Sequence, residues 1–101
     1  MGQKETPENI EKAGVKTLVK NIGGFWYANL AGVGRKKGLP DLTVLIKGVV
    51  IQVEVKSPTG TQSPEQAEFQ RIWEYCGGKY VCGTAGDFCE YLQKIGLIKT
   101  K

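Results

Sequence analysis

Histidine is absent from the 101 residues. Its absence removes Ser-His and Cys-His nucleophile systems, histidine general bases and most zinc sites. Cysteine is scarce. Cys76, Cys82 and Cys89 cannot all pair within one chain, and their spacing fits no common zinc pattern. They are expected to be small buried apolar residues in a reducing, cytoplasmic compartment. No apolar run approaches the length of a membrane span, and residues 1–11 do not read as a signal peptide. The glycines make no P-loop pattern. Any chemistry must therefore use carboxylates, lysine, backbone oxygens, or a hard metal held by oxygens.

What is present suits one folded domain over residues 1–101. Hydrophobic content is 41% and charged content 24%, which excludes disorder, and the length allows one modest core. Fourteen basic against ten acidic side chains give a formal charge of +4, a surplus that suits a polyanionic partner such as nucleic acid.

The chain is organised around Pro40 to Lys56, PDLTVLIKGVVIQVEVK. Two runs rich in β-branched residues, Asp41 to Ile46 and Val49 to Lys56, flank Lys47-Gly48 and read as a hairpin with a two-residue turn. Such a turn sets Ile46 opposite Val49 and Asp41 opposite Glu54. Leu42, Val44, Ile46, Val49, Ile51, Val53 and Val55 then share a wholly apolar face. Asp41, Thr43, Gln52, Glu54 and Lys56 share the other, with Leu45 and Val50. Opposed side chains lie about 4.5–5.5 Å apart at Cβ, where like charges repel. A divalent cation between Asp41 and Glu54 would resolve that repulsion.

Around this hairpin the pattern predicts the order α-β-β-β-α-β-α, a mixed sheet with helices on its faces. Thr6-Pro7 starts the first helix, with Ile10, Ala13, Leu18 and Ile22 at core spacing and Gly23-Gly24 as the stop. Gly14 weakens that helix by about 1 kcal/mol relative to alanine. Phe25 to Leu30 reads as a strand in which Trp26 packs in the core. Ser63-Pro64-Glu65-Gln66 opens a second helix with capping-box spacing, and Phe69, Ile72, Trp73 and Cys76 form its apolar stripe. Lys79 to Cys82 is a short strand. Thr84 caps the last helix, whose stripe is Phe88, Tyr91, Leu92 and Ile95, with Gly96 as its stop.

Three groups can carry chemistry. Asp41, Glu54 and Lys56 share one face, the lysine two residues after the glutamate on the same strand. With the backbone carbonyl of Val55 the carboxylates supply hard oxygen ligands for Mg²⁺ or Mn²⁺, and Lys56 can orient a water or steady charge developing on phosphorus. Glu8, in the first turn of the first helix, is either a further metal ligand or a partner of the helix dipole. Arg35, Lys36 and Lys37 lead directly into Pro40-Asp41 and would deliver positive charge beside the carboxylates. A Glu54–Lys56 surface salt bridge is the structural alternative to catalysis. A non-catalytic nucleic-acid-binding module using Arg35 to Lys37 is the alternative function.

The paired motifs, GLPDLTVL and then VEVKSPTGTQSPEQAEFQ, resemble the virus-type replication-repair nuclease (VRR-NUC) family of the PD-(D/E)xK superfamily, from about Thr6 to Leu92. The resemblance implies an αβββαβ restriction-endonuclease-like core. It also implies Mg²⁺- or Mn²⁺-dependent cleavage of DNA phosphodiester bonds, often at branched structures such as Holliday junctions. On it, Asp41 and Glu54 bind metal, Lys56 assists the attacking water, Glu8 is the first-helix acid and Gln66 the helix residue near the site. The stand-alone form is similar to phage and bacterial members, which implies a homodimer.

Overall fold

The computed structural model describes residues 5–30 and 36–99. The elements run α1 (Pro7–Asn21), β1 (Phe25–Ala28), β2 (Leu42–Ile46), β3 (Val49–Val55), α2 (Pro64–Tyr75), β4 (Lys79–Gly83) and α3 (Ala85–Lys94). The sheet order is β1-β2-β3-β4. The first three strands are antiparallel and β4 joins β3 in parallel. The expected element order and hairpin register both hold. Ile46 pairs with Val49 and Leu42 with Val53, and the two strands are one residue shorter at the open end than the sequence pattern suggested. At the turn Lys47 and Gly48 both have positive φ, 50° and 83°. A type I′ turn demands this of its two central residues, and it matches the twist of the flanking strands.

The core lies on the apolar face of that hairpin. Leu42, Val44, Ile46, Ile51, Val53, Val55 and Val81 pack against Val15 and Val19 of α1 and Phe88 and Leu92 of α3. Each such side chain contributes about 1.5–3 kcal/mol when fully buried. Helix α1 therefore presents a different face from the one its spacing suggested. Leu18 and Ile22 do pack on the core, but Ile10 is 56% exposed and Ala13 is also exposed, and Val15 and Val19 are fully buried in their stead. Gly14 explains the rotation. A Cβ there would come within 2.9 Å of Ala85 Cβ, so the missing side chain lets α3 lie close to α1. Gly14→Ala is accordingly expected to lower the unfolding free energy by about 1–3 kcal/mol through overpacking. The gain of about 1 kcal/mol expected from helix propensity alone should not appear. Urea denaturation reads the difference.

The second face of the sheet is only partly covered. Helix α2 starts on a complete capping box, Ser63 with Gln66, and leans on β4 through Phe69, which lies 6.2 Å from Tyr80 and stacks on Trp73. None of its residues is fully buried, and Ile72 and Cys76 of the expected core stripe are exposed. The stripe is real, but α2 packs only along the β4 edge of the second face. Cys76 is therefore exposed and Cys82 and Cys89 half-buried, not the buried residues that composition suggested; all three are free. Beyond α2 that face leaves Phe25, Tyr27, Leu45 and Val50 exposed. Among the described residues no helix is long and apolar enough to cross a membrane.

Candidate active site

The open end of the hairpin, on this second face, gathers the charged residues. Asp41 stands one residue before β2, fixed from three directions. Its carbonyl accepts from the Asn29 N–H at 2.8 Å, its Oδ2 accepts from the Val55 N–H at 2.8 Å, and the preceding Pro40 is fully buried. Below it lies a small polar network. The Asn29 side-chain amide donates to the Pro40 carbonyl (3.0 Å) and to Gln52 Oε1 (3.1 Å), while the Thr43 hydroxyl donates to Asn29 Oδ1 (2.8 Å). Buried Thr43 and Gln52 are thus satisfied by one another and by Asn29, as polar groups in a core must be. They hold the Pro40–Asp41 backbone in place.

Glu54, near the end of β3, is 3% exposed. Its Oε2 accepts from the Gln66 side-chain amide at 2.7 Å and pairs with Lys56 Nζ at 3.4 Å. Its Oε1 is buried and has no hydrogen-bond partner among the described residues. Burial, reinforced by the Asp41 carboxylate and only partly offset by Lys56, pushes the Glu54 carboxyl up from an ordinary value near 4.5 to about 7. The Glu54–Lys56 pair is therefore not the solvated surface bridge set against catalysis above, because both partners are shielded from water.

Gln66 has two duties at once. Its Oε1 accepts from the Ser63 N–H at 2.8 Å, closing the capping box, and from Lys56 Nζ at 2.9 Å, while its amide holds Glu54. The start of α2 thereby sets the position of both Glu54 and Lys56.

Asp41, Glu54, Lys56 and Gln66 are thus brought together, and Val55 joins them through its N–H. Glu8 reaches the group indirectly. Lys12, which the sequence did not single out, lies 3.3 Å from Glu8 Oε2 and 3.4 Å from Asp41 Oδ1. Burial tends to lower the Lys12 pKa, but Asp41 and Glu8 outweigh it and the net shift is upward. Glu11, three residues further along α1, is engaged elsewhere, accepting from the Ala85 N–H at the start of α3 at 2.8 Å. Among the described residues no three acidic, histidine or cysteine side chains cluster as a ready metal-ligand set. Arg35 lies outside the described residues. Lys36 and Lys37 are exposed and line a groove with Pro64, Glu65, Glu68 and Phe69 at the start of α2. Gly38, with φ 76°, seals that loop to α2, since a Cβ there would run into the Glu65 backbone carbonyl. Lys36, Lys37 and Gly38 therefore lie against the turn that carries Gln66.

Asn29 and Lys12 are the residues that reading the sequence missed. Asn29 carried no signal beyond a polar residue at a strand end. The Glu8–Lys12 spacing resembles any helical i,i+4 pair, and only the fold adds Asp41 to it.

The sequence matches no protein-family model and no curated protein. Among solved structures, the chain is similar to one described as "VRR_NUC domain", with a TM-score of 0.75 and 26% identity over 89% of this chain and 97% of that one. A mixed four-stranded sheet flanked by helices, with an acid leading one strand and Glu-x-Lys ending the next, defines a PD-(D/E)xK nuclease-type fold. Within that class the chain is similar in fold to the VRR_NUC domain over most of its length. Nucleases of this fold generally use divalent metals.

The donor set fits such an ion. Glu54 Oε1 is a buried carboxylate oxygen without a partner, and Asp41 Oδ1 meets only an ammonium group. Both are hard oxygens, and a buried unpaired carboxylate oxygen otherwise carries a desolvation cost of about 1–3 kcal/mol or more.

Proposed function

We propose that the chain acts as a single nuclease domain over residues 1–101. In this reading it is a metal-dependent, structure-selective DNA endonuclease that hydrolyses phosphodiester bonds in branched DNA such as Holliday junctions. The observation that carries it is the convergence of Asp41 and Glu54, with one glutamate oxygen buried and left without a partner. Mg²⁺ or Mn²⁺ would be held by Asp41, Glu54 and the Val55 carbonyl, with Glu8 beside them. When bound, such an ion lowers the pKa of an attached water and offsets charge on the phosphate. The other roles belong to the chain. Lys56, aimed by Gln66 and Glu54, positions the attacking water and steadies charge developing on phosphorus. Gln66 fixes Glu54 and Lys56 relative to each other. Lys36 and Lys37, with Arg35 preceding them, grip the DNA backbone.

The exposed apolar cluster of Phe25, Tyr27, Leu45 and Val50 supports a homodimer, and sedimentation showing only monomer at micromolar concentration would remove that part of the reading. The free cysteines fit a reducing compartment, as in the cytoplasm of a bacterium or of a phage-infected cell.

The deciding experiment incubates the chain with linear, flap, fork and four-way-junction DNA in Mg²⁺, in Mn²⁺ and in EDTA. Cutting of the branched substrates that requires the metal is expected. Salt-sensitive binding without cutting in any metal would replace the nuclease by a binding module built on the basic loop.

A further inference from the structure

Lys12 sits where a second cation would sit. It lies on α1 one turn after Glu8, and its ammonium bridges Glu8 Oε2 at 3.3 Å and Asp41 Oδ1 at 3.4 Å. An ordinary helix-surface pair needs only the first of these contacts and is worth a few tenths of a kcal/mol. The second crosses from helix to sheet, to a carboxylate whose other oxygen is already fixed by the Val55 N–H. The unfixed oxygen of Asp41 therefore faces Lys12, while Glu54 keeps one buried oxygen unpartnered.

The local charge sum points the same way. Glu8, Asp41 and Glu54 bring three negative charges when ionised, and Lys12 and Lys56 bring two positive ones. One divalent ion takes this cluster from −1 to +1, and a second would take it to +3 in a partly buried place where like charges are poorly screened. Two-metal phosphodiesterase sites set their ions about 3.5–4 Å apart and bridge them with carboxylates. Here the carboxylate that would bridge, Asp41, already shares its free oxygen with an ammonium.

We propose that Lys12 is a built-in cation that takes the place of a second metal ion, so that the site loads a single divalent ion at Asp41 and Glu54. The proposal rests on the metal-dependent reading above for the presence of the first ion, but on geometry alone for the exclusion of the second. Lys12 is thus a positioning residue for the metal site, acting through Asp41 and Glu8.

The test is calorimetric titration of the EDTA-stripped full chain with Mn²⁺, with circular dichroism confirming the fold of each variant. The expected stoichiometry is one ion per chain in the wild type and in Lys12→Arg, and two in Lys12→Met, which keeps the aliphatic stem but removes the charge. Lys12→Gln replaces Lys12→Met should the latter not fold. Two ions in the wild type, or one ion in both neutral variants, would overturn the proposal while leaving a metal-dependent nuclease standing. No Mn²⁺ binding in the wild type at millimolar concentration would remove both.

Discussion

Glu54→Gln is expected to cut branched DNA on the order of 10³-fold more slowly than the wild type and yet to melt at a higher temperature at pH 8 in EDTA. The two signs have one cause. The wild-type carboxylate is buried, carries one unpartnered oxygen and is destabilised by Asp41. Glutamine has the same shape without the charge. Its oxygen still accepts from the Gln66 amide, and Lys56 still donates to Gln66 Oε1. The gain from removing a buried charge that desolvation and Asp41 disfavour exceeds the loss of the Lys56 counter-charge, so the change stabilises even as it removes function. The loss of rate is of the size seen when one preorganised electrostatic group is deleted from a site. Gel-based cleavage in Mn²⁺ and thermal melts at pH 5 and pH 8 read the two effects. At pH 5 the melting difference should vanish, because wild-type Glu54 is then largely protonated. A variant that melts lower than the wild type at both values would mean that the Glu54–Lys56 pair is there to hold the fold.

The parts of this arrangement that could be read from the sequence are those dictated by local rules. The hairpin register followed from a two-residue turn and from seven apolar residues that can share only one face; a slip of one position would have put Asp41 and Glu54 on opposite sides. Thr6, Ser63 and Thr84 each marked a helix start because a side-chain oxygen three residues before a free N–H is a local device, and all three cap as expected. What the sequence could not show was the choice of partner surface. Helix α1 has apolar residues at Ile10, Ala13, Val15, Leu18, Val19 and Ile22, enough for two overlapping faces. Which one turns inward depends on how closely α3 approaches at Gly14. The stripe on α2 obeyed the helical period and still stayed largely exposed. Periodicity reports which face is apolar, not how much surface waits to cover it.

The candidate site divides in the same way. Asp41, Glu54 and Lys56 were legible because strand alternation carries them to one side. Gln66 was legible in the sequence as a capping residue and, through the family resemblance, as the helix residue near the site; the fold adds its hydrogen bonds to Glu54 and Lys56. Lys12 and Asn29 required tertiary contacts across 29 and 11 positions of chain respectively, to Asp41 and to Pro40. No local pattern announces such contacts.

Metal should stabilise the chain strongly at pH 8 and weakly at pH 5. In the metal-free protein the folded-state pKa of Glu54 is raised from about 4.5 to about 7. Between those values the folded state binds more protons than the unfolded chain does, so stability falls as pH rises. The contribution is fully present below about pH 4.5 and is lost as pH climbs through about 7. Each pKa unit corresponds to at most about 1.4 kcal/mol, and partial solvent screening trims the sum. With a response of about 4–8 °C per kcal/mol for a domain of this size, the melting temperature in EDTA should drop by on the order of 10 °C between pH 5 and pH 8. An ion bound at Asp41 and Glu54 reverses that slope. At pH 8 it meets an ionised Glu54 and adds about 2.7 kcal/mol at a hundredfold excess over its Kd, whereas at pH 5 it must first displace a proton. Melts in EDTA and in Mn²⁺ across pH 5–8 should therefore diverge steadily as pH rises, and Glu54→Gln should bring the two curves together. Parallel curves in the wild type would show that the metal, if bound, does not use Glu54.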